Sequence, residues 1–137
     1  VPVKTELYGF SNCQQSPFKI SNSSLTKNDP SGKLLEFPLS IGKFLGKTCP
    51  VAGGFYLRFL PLKTSLNAIK HYEEQNIPAT IYIHSWELTP EFIPKIELPF
   101  KERFVTFHNI KNAYSRIEKI LQNSRFSSFK DFLDNKE

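Results

Sequence analysis

The chain contains no methionine and opens on Val1, so it reads as a piece of a longer polypeptide. No apolar run approaches the 18 or more residues that a membrane span needs, and no signal-peptide pattern stands at the start. Targeting is therefore unreadable. Cysteine is scarce: Cys13 and Cys49 form no CxxC, which supports neither a zinc knuckle nor a redox motif and leaves one disulfide or none. Also absent are HxxH, HExxH, GxSxG, GxGxxG and the phosphate loop. Metal sites of histidine spacing, serine hydrolases of the elbow type and nucleotide-loop proteins have no motif here.

What is present is aromatic and apolar. With 39% hydrophobic residues and 13 Phe in 137, the chain is too hydrophobic for disorder and long enough for one domain, or half of a larger one. The net charge of +5 invites a polyanion partner, but the basic residues are dispersed. In the last third both signs interleave, as at Arg116, Glu118 and Lys119, the pattern of a solvated face. No nucleic-acid partner is expected.

Residues 1–33 are rich in Ser, Asn, Pro and Gly and read as loop, with turns at Asn28-Asp29-Pro30 and Ser31-Gly32. Strands are expected at LLEFPL (34–39), with Pro38 marking an edge or end, at FYLRFL (55–60) after Gly53-Gly54, and at FVTF (104–107). IGKFLGKTCP between the first two reads as a turn or helix fragment. Leu66, Ile69 and Tyr72 recur at helical spacing from Ser65 to Asn76, where Asn76-Ile77-Pro78 stops the helix. The run ATIYIH (79–84) suits a strand buried on both faces of a parallel sheet. TPEFIPKIELPFKE, with three prolines, should be an ordered loop without helix. Ile110, Ala113, Tyr114, Ile117, Ile120 and Leu121 carry the strongest helical pattern, and a last helix starts near Ser128, where Ser128 and Asp131 stand at capping-box spacing.

One residue is placed for chemistry. His84 ends the ATIYIH run and is followed by Ser85, Trp86 and Glu87. In α/β folds, ligands collect outside the carboxyl ends of strands, and a histidine there titrates in the range useful for proton transfer. Trp86 offers an apolar wall or a sugar-stacking face, and Glu87 a partner to orient a neighbour. The plainer reading is that His84 hydrogen-bonds a loop. His71 lies on the polar side of its helix. His108 follows FVTF, where a structural hydrogen bond is the simpler role.

The succession LLEFPLS (34–40), VAGGFYLRFLP (51–61), PATIYIHSWEL (78–88) and RFVTFHNI (103–110) resembles the polysaccharide deacetylases of the NodB-like superfamily, in the bacterial branch associated with exopolysaccharide loci. Ser85 replaces the proline usual after the histidine, and Phe55 stands where the branch usually has a third glycine. The resemblance implies an α/β fold, the C-terminal half of a distorted (β/α)7 deacetylase barrel, with parallel strands and amphipathic helices. Residues 1–137 would be the C-terminal portion of one catalytic domain, loop-rich over 1–33 and α/β over 34–137.

The implied reaction is hydrolysis of N-acetyl groups from amino sugars in a glycan, the partner being a polysaccharide or oligosaccharide with N-acetylated sugars. His84 matches the late-strand general acid. Arg58 matches a family arginine that orients the general base or binds substrate, against a plain ion pair with Glu36. Tyr56, Trp86 and Glu87 are substrate-side candidates, with core packing the alternative for Tyr56 and Trp86. The implied cofactor is a divalent metal, commonly zinc, whose ligands and partner base would precede Val1. A non-catalytic glycan-binding module of the same fold is the alternative. ATIYIH should then be a central parallel strand, with the His84 ring opening into a cavity and Arg58 or Trp86 close by.

Overall fold

A computed structural model describes residues 1–5, 9–11 and 13–134. The first sheet forms inside the stretch expected to be loop. Strands β1 (Phe18–Ser21), β2 (Ser24–Asn28) and β3 (Leu34–Glu36) pair antiparallel in the order β2-β1-β3. Lys19, Lys27 and Asn28 are exposed together with Leu25 and Leu34, as an antiparallel sheet with one wet face permits, while Phe18 is buried. Asp29 accepts hydrogen bonds from the backbone N–H and hydroxyl of Ser31 at 2.9 and 2.6 Å and closes the turn toward β3.

The segment expected as a turn or helix fragment is a hairpin, β4 (Ile41–Phe44) with β5 (Lys47–Pro50). Its two-residue loop, Leu45-Gly46, has positive φ at both positions (49° and 76°), the mirror-image turn whose twist matches the strands. The hairpin lies on α2 (Leu62–Glu74). Gly42 is the contact point, because a Cβ there would come within 2.9 Å of Ala68 Cβ and Val51 Cγ1. Tyr72 is fully buried at this seam, and its hydroxyl accepts the Ile41 N–H at 3.1 Å.

Two expected strands are helices. FYLRFL lies largely in α1 (Gly54–Phe59), and FVTF is the end of α3 (Phe100–Phe107). The ring contacts show why. Phe55 stacks on Phe59 at 5.0 Å, and Phe104 meets His108 at 4.8 Å, pairs spaced i, i+4 that share a face of a helix. The helices expected around 65–76, 110–121 and 128 onward are found as α2, α4 (Ala113–Asn123, entered through a 3-10 turn at Ile110–Asn112) and α5 (Phe129–Asp134). Ser128 and Asp131 cap α5 reciprocally: the Ser128 hydroxyl oxygen accepts the Asp131 N–H at 3.1 Å, and the Asp131 carboxylate accepts the Ser128 N–H at 3.3 Å.

The half-barrel expectation is overturned. The two sheets among the described residues are antiparallel, and no parallel barrel is present. ATIYIH is extended but is not a ladder strand. It makes two isolated parallel bridges, Leu39 with Thr80 and Gly53 with Tyr82, supported by Ser40 N–H to Thr80 O (3.1 Å), Tyr82 N–H to Ala52 O (2.7 Å) and Gly54 N–H to Tyr82 O (3.3 Å). The neighbours diverge at once, Leu39 into the hairpin and Gly53 into α1, so pairing cannot propagate into the evenly spaced bonds of a parallel sheet. Burial is also one-sided. Ile81 and Ile83 pack inward while Tyr82 faces out, a period of two rather than a run buried on both faces.

One core cluster gathers Val51, Ala52, Leu60 and Ala68. Another gathers Leu57, Ile69, Ile117 and Ile120, and Ile81 touches both. At one edge Phe37 receives Phe129 and Phe132 of α5 at 4.4 and 5.4 Å. No helix among the described residues is long and apolar enough to cross a membrane.

Candidate functional site

His84 sits where the extended segment turns into a short 3-10 turn, Ser85–Glu87. That turn folds Glu87 back, and its Oε2 accepts the His84 backbone N–H at 2.9 Å and lies 3.2 Å from Nδ1 of the ring. The imidazole is thus held by its Nδ1, which leaves Nε2 as the nitrogen for a ligand. Gly54 begins α1 with φ +41°, a conformation that suits glycine, and a Cβ there would sit 3.7 Å from His84 Cε1. The ring therefore lies against bare backbone.

Beneath the histidine is a buried ion pair. Arg58 and Glu87 are each only about 3% exposed along the side chain, and Arg58 Nε meets Glu87 Oε1 at 2.6 Å. Two further guanidinium nitrogens donate to the carbonyls of Val105 (3.2 Å) and His108. Charges removed from water persist when they are paired and their remaining polar capacity is used. Both conditions hold here. Asn109, in the left-handed conformation with φ 53°, donates its side-chain amide to the Arg58 carbonyl at 3.0 Å.

Aromatic rings surround the imidazole. Tyr82 meets it edge-on at 4.7 Å and Trp86 is tilted against it at 5.2 Å, while the Arg58 guanidinium carbon lies 5.9 Å from the Trp86 ring centre, within cation–π range. A cavity of about 520 Å³ opens over them, with His84, Trp86, Tyr82, Arg58 and Phe55 among its walls. That volume lies within the usual range for small-molecule pockets.

The structure thus brings together His84, Trp86, Glu87 and Arg58. Arg58 pairs with Glu87, not with Glu36. Tyr56 does not line the cavity; it packs on the Val51 and Ala52 cluster. His108 contributes its backbone carbonyl, and its ring lies among Phe55, Phe59 and Phe104. His71 is exposed and 2.7 Å from the Gln75 amide. Cavity residues that the sequence reading missed include Tyr82, Phe10, Val105 and Thr106. Of these Tyr82 carried a signal, as the outward member of an alternating run. Cys13 and Cys49 are both free and half-buried, and burial pushes both thiols up from their ordinary value.

Among the described residues no group of three or more His, Cys, Asp or Glu is placed to hold a metal ion. Glu87 already spends both oxygens on Arg58 and His84. The described residues do not make a metal centre.

A family model described as "Domain of unknown function (DUF3473)" matches residues 1–134. The chain belongs to this family. DUF3473 is often found C-terminal to polysaccharide deacetylase domains but is not itself one. This corrects the resemblance drawn from the sequence: the segments around Arg58 and His84 belong to the DUF3473 domain, not to the deacetylase domain proper. No curated protein and no solved structure matches the chain.

Proposed function

We propose that this DUF3473 domain serves the removal of N-acetyl groups from amino sugars in a glycan, acting beside a polysaccharide deacetylase domain, with His84 as its proton-transfer residue. The observation that carries this reading is the His84 ring, tethered at Nδ1 by a carboxylate that a buried arginine fixes in turn, at the wall of an aromatic-lined cavity. An amine is a poor leaving group until it is protonated, and a positioned imidazole supplies that proton as the bond breaks. Arg58 is a positioning residue here, since it acts on the ring through Glu87. Tyr82 and Trp86 present faces on which a pyranose ring can stack. The same two rings favour a second reading, a glycan-binding module without chemistry.

The test uses the polypeptide that carries both domains, acting on N-acetylglucosamine oligomers, with released amine as the readout. His84→Gln should lower kcat roughly 10²- to 10⁴-fold and leave KM nearly unchanged, because the proton is needed in the transition state. Trp86→Ala should raise KM. Near-normal turnover of His84→Gln, with KM raised in Trp86→Ala, would establish the binding module instead. If neither variant alters kcat or KM, both readings fail.

A further inference from the structure

The aromatic surface does not stop at the cavity mouth. Phe55, on the cavity wall, stacks on Phe59 and meets Phe104 edge-on at 5.8 Å, and both of those rings are exposed. On the other side Trp86 and Thr106 are shared with a second groove of about 320 Å³, walled by Phe92, Ile93, Pro94, Ile96, Leu98 and Phe107 without a charged side chain. Phe92 is 79% exposed and Ile96 52%. Phe10 and Tyr82, also exposed, complete the near rim. One contiguous apolar face therefore surrounds the opening over His84. Patches of this kind mark sites of association rather than ordinary wet surface.

The geometry points to one occupant: this face is where the domain packs against a polysaccharide deacetylase domain of the same polypeptide. The inference rests on the functional reading above and adds the surface to it. Two observations select the occupant. Val1 lines the His84 cavity, so any segment joined to it starts on this face. The family is often found C-terminal to such domains. Ligand sites form preferentially at domain interfaces, and docking here would enclose the His84 cavity between the two domains. The prolines of the 88–99 segment (Pro90, Pro94 and Pro99) stiffen the chain that presents Phe92, at the end of the single 3-10 turn Pro90–Phe92, and Ile96, which limits the ordering cost of docking.

The test is hydrogen exchange on the polypeptide carrying both domains. Amides of residues 86–107 should be protected in the wild type. Phe92→Asp and Ile96→Asp should speed their exchange by about tenfold or more, whereas Leu45→Asp, 86% exposed and on the wall of neither cavity, should not. The aspartates replace exposed side chains, so folding is retained and is checked by the exchange of α2. Unprotected 88–98 amides in the wild type, or unchanged protection in both aspartate variants, would overturn the proposal. Protection that rises with protein concentration would overturn it too, by assigning the face to a second copy of the chain. His84→Gln should leave protection as it is, so a failure of the chemistry and a failure of the interface are read separately.

Discussion

Replacing Arg58 by methionine keeps the stem of the side chain and removes the guanidinium from beneath His84. Three acceptors then lose their donor: Glu87 Oε1 and the carbonyls of Val105 and His108. The largest cost is Glu87, left as an unpaired carboxylate at about 3% exposure, and breaking one side of a buried pair typically costs about 3–5 kcal/mol. Glu87→Leu strands the arginine and should cost a similar amount. The double variant leaves no buried charge. What remains are the two carbonyls and the His84 N–H, at roughly 1–3 kcal/mol for each group left unsatisfied. Each of those groups is already lost in one single variant or the other and the stranded charge is gone, so the double variant should be no less stable than either single one, a coupling of about 3–5 kcal/mol. Urea unfolding can follow this through the fluorescence of Trp86, the single tryptophan, which sits over the pair. Equal slopes in denaturant would confirm that midpoints report stability. If the two single changes simply add in the double variant, the ion pair is not the link between Arg58 and the His84 turn, and the positioning role assigned to Arg58 falls with it.

Tyr72→Phe should cost about 1–3 kcal/mol in the same assay, because the buried Ile41 N–H loses its acceptor. Burial raises the Tyr72 hydroxyl above its ordinary value, so the stabilisation is whole below the unfolded value near 10; it is lost as pH rises through the higher folded one, a loss the phenylalanine variant should not share. Gly42→Ala should destabilise by about 1–3 kcal/mol through overpacking against Val51 and Ala68; a thermal melt unchanged from wild type would refute the tight seam between hairpin and α2.

The parts of the fold that were legible are those where periodicity and chemistry agree. Leu66, Ile69 and Tyr72, and then Ile110 through Leu121, repeat at helical spacing, and Ser128 with Asp131 announces a cap; each lies in or beside a helix. The failures have specific causes. FYLRF and FVTF are aromatic and β-branched, the composition of strands, and α1 buries Arg58, a residue that gives no apolar signal. The β4–β5 loop places Leu45 at positive φ where Asn-Gly would have advertised the turn. The sheet of β1–β3 was hidden in a stretch whose Ser, Asn, Pro and Gly content reads as loop. ATIYIH has the composition of a parallel strand but lacks neighbours that run beside it. At the site, His84, Trp86 and Glu87 were readable because one turn holds them. The Arg58–Glu87 pair was not, since 29 residues separate partners that meet only after the chain has folded.

The carbonyl oxygens of α1 have a bearing on how the molecule is made. Leu57 and Leu60 offer theirs to Arg116, and Arg58 offers its own to Asn109. The Arg58 guanidinium in turn waits for Val105 and His108. These partners stand 47 to 59 residues downstream. At about 5–20 residues per second of synthesis, the short helix beneath His84 leaves the ribosome seconds before the groups that lock it. Until residues 105–116 arrive, Arg58 lacks the Val105 and His108 carbonyls and α1 lacks Arg116, while only the local Glu87 turn holds the histidine. The hairpin and α2 can settle early, through contacts closer in sequence. The His84 side of the domain is thus finished last, from its own C-terminal third, and a nascent chain released short of Arg116 would retain the residues of the site without the scaffold that surrounds them.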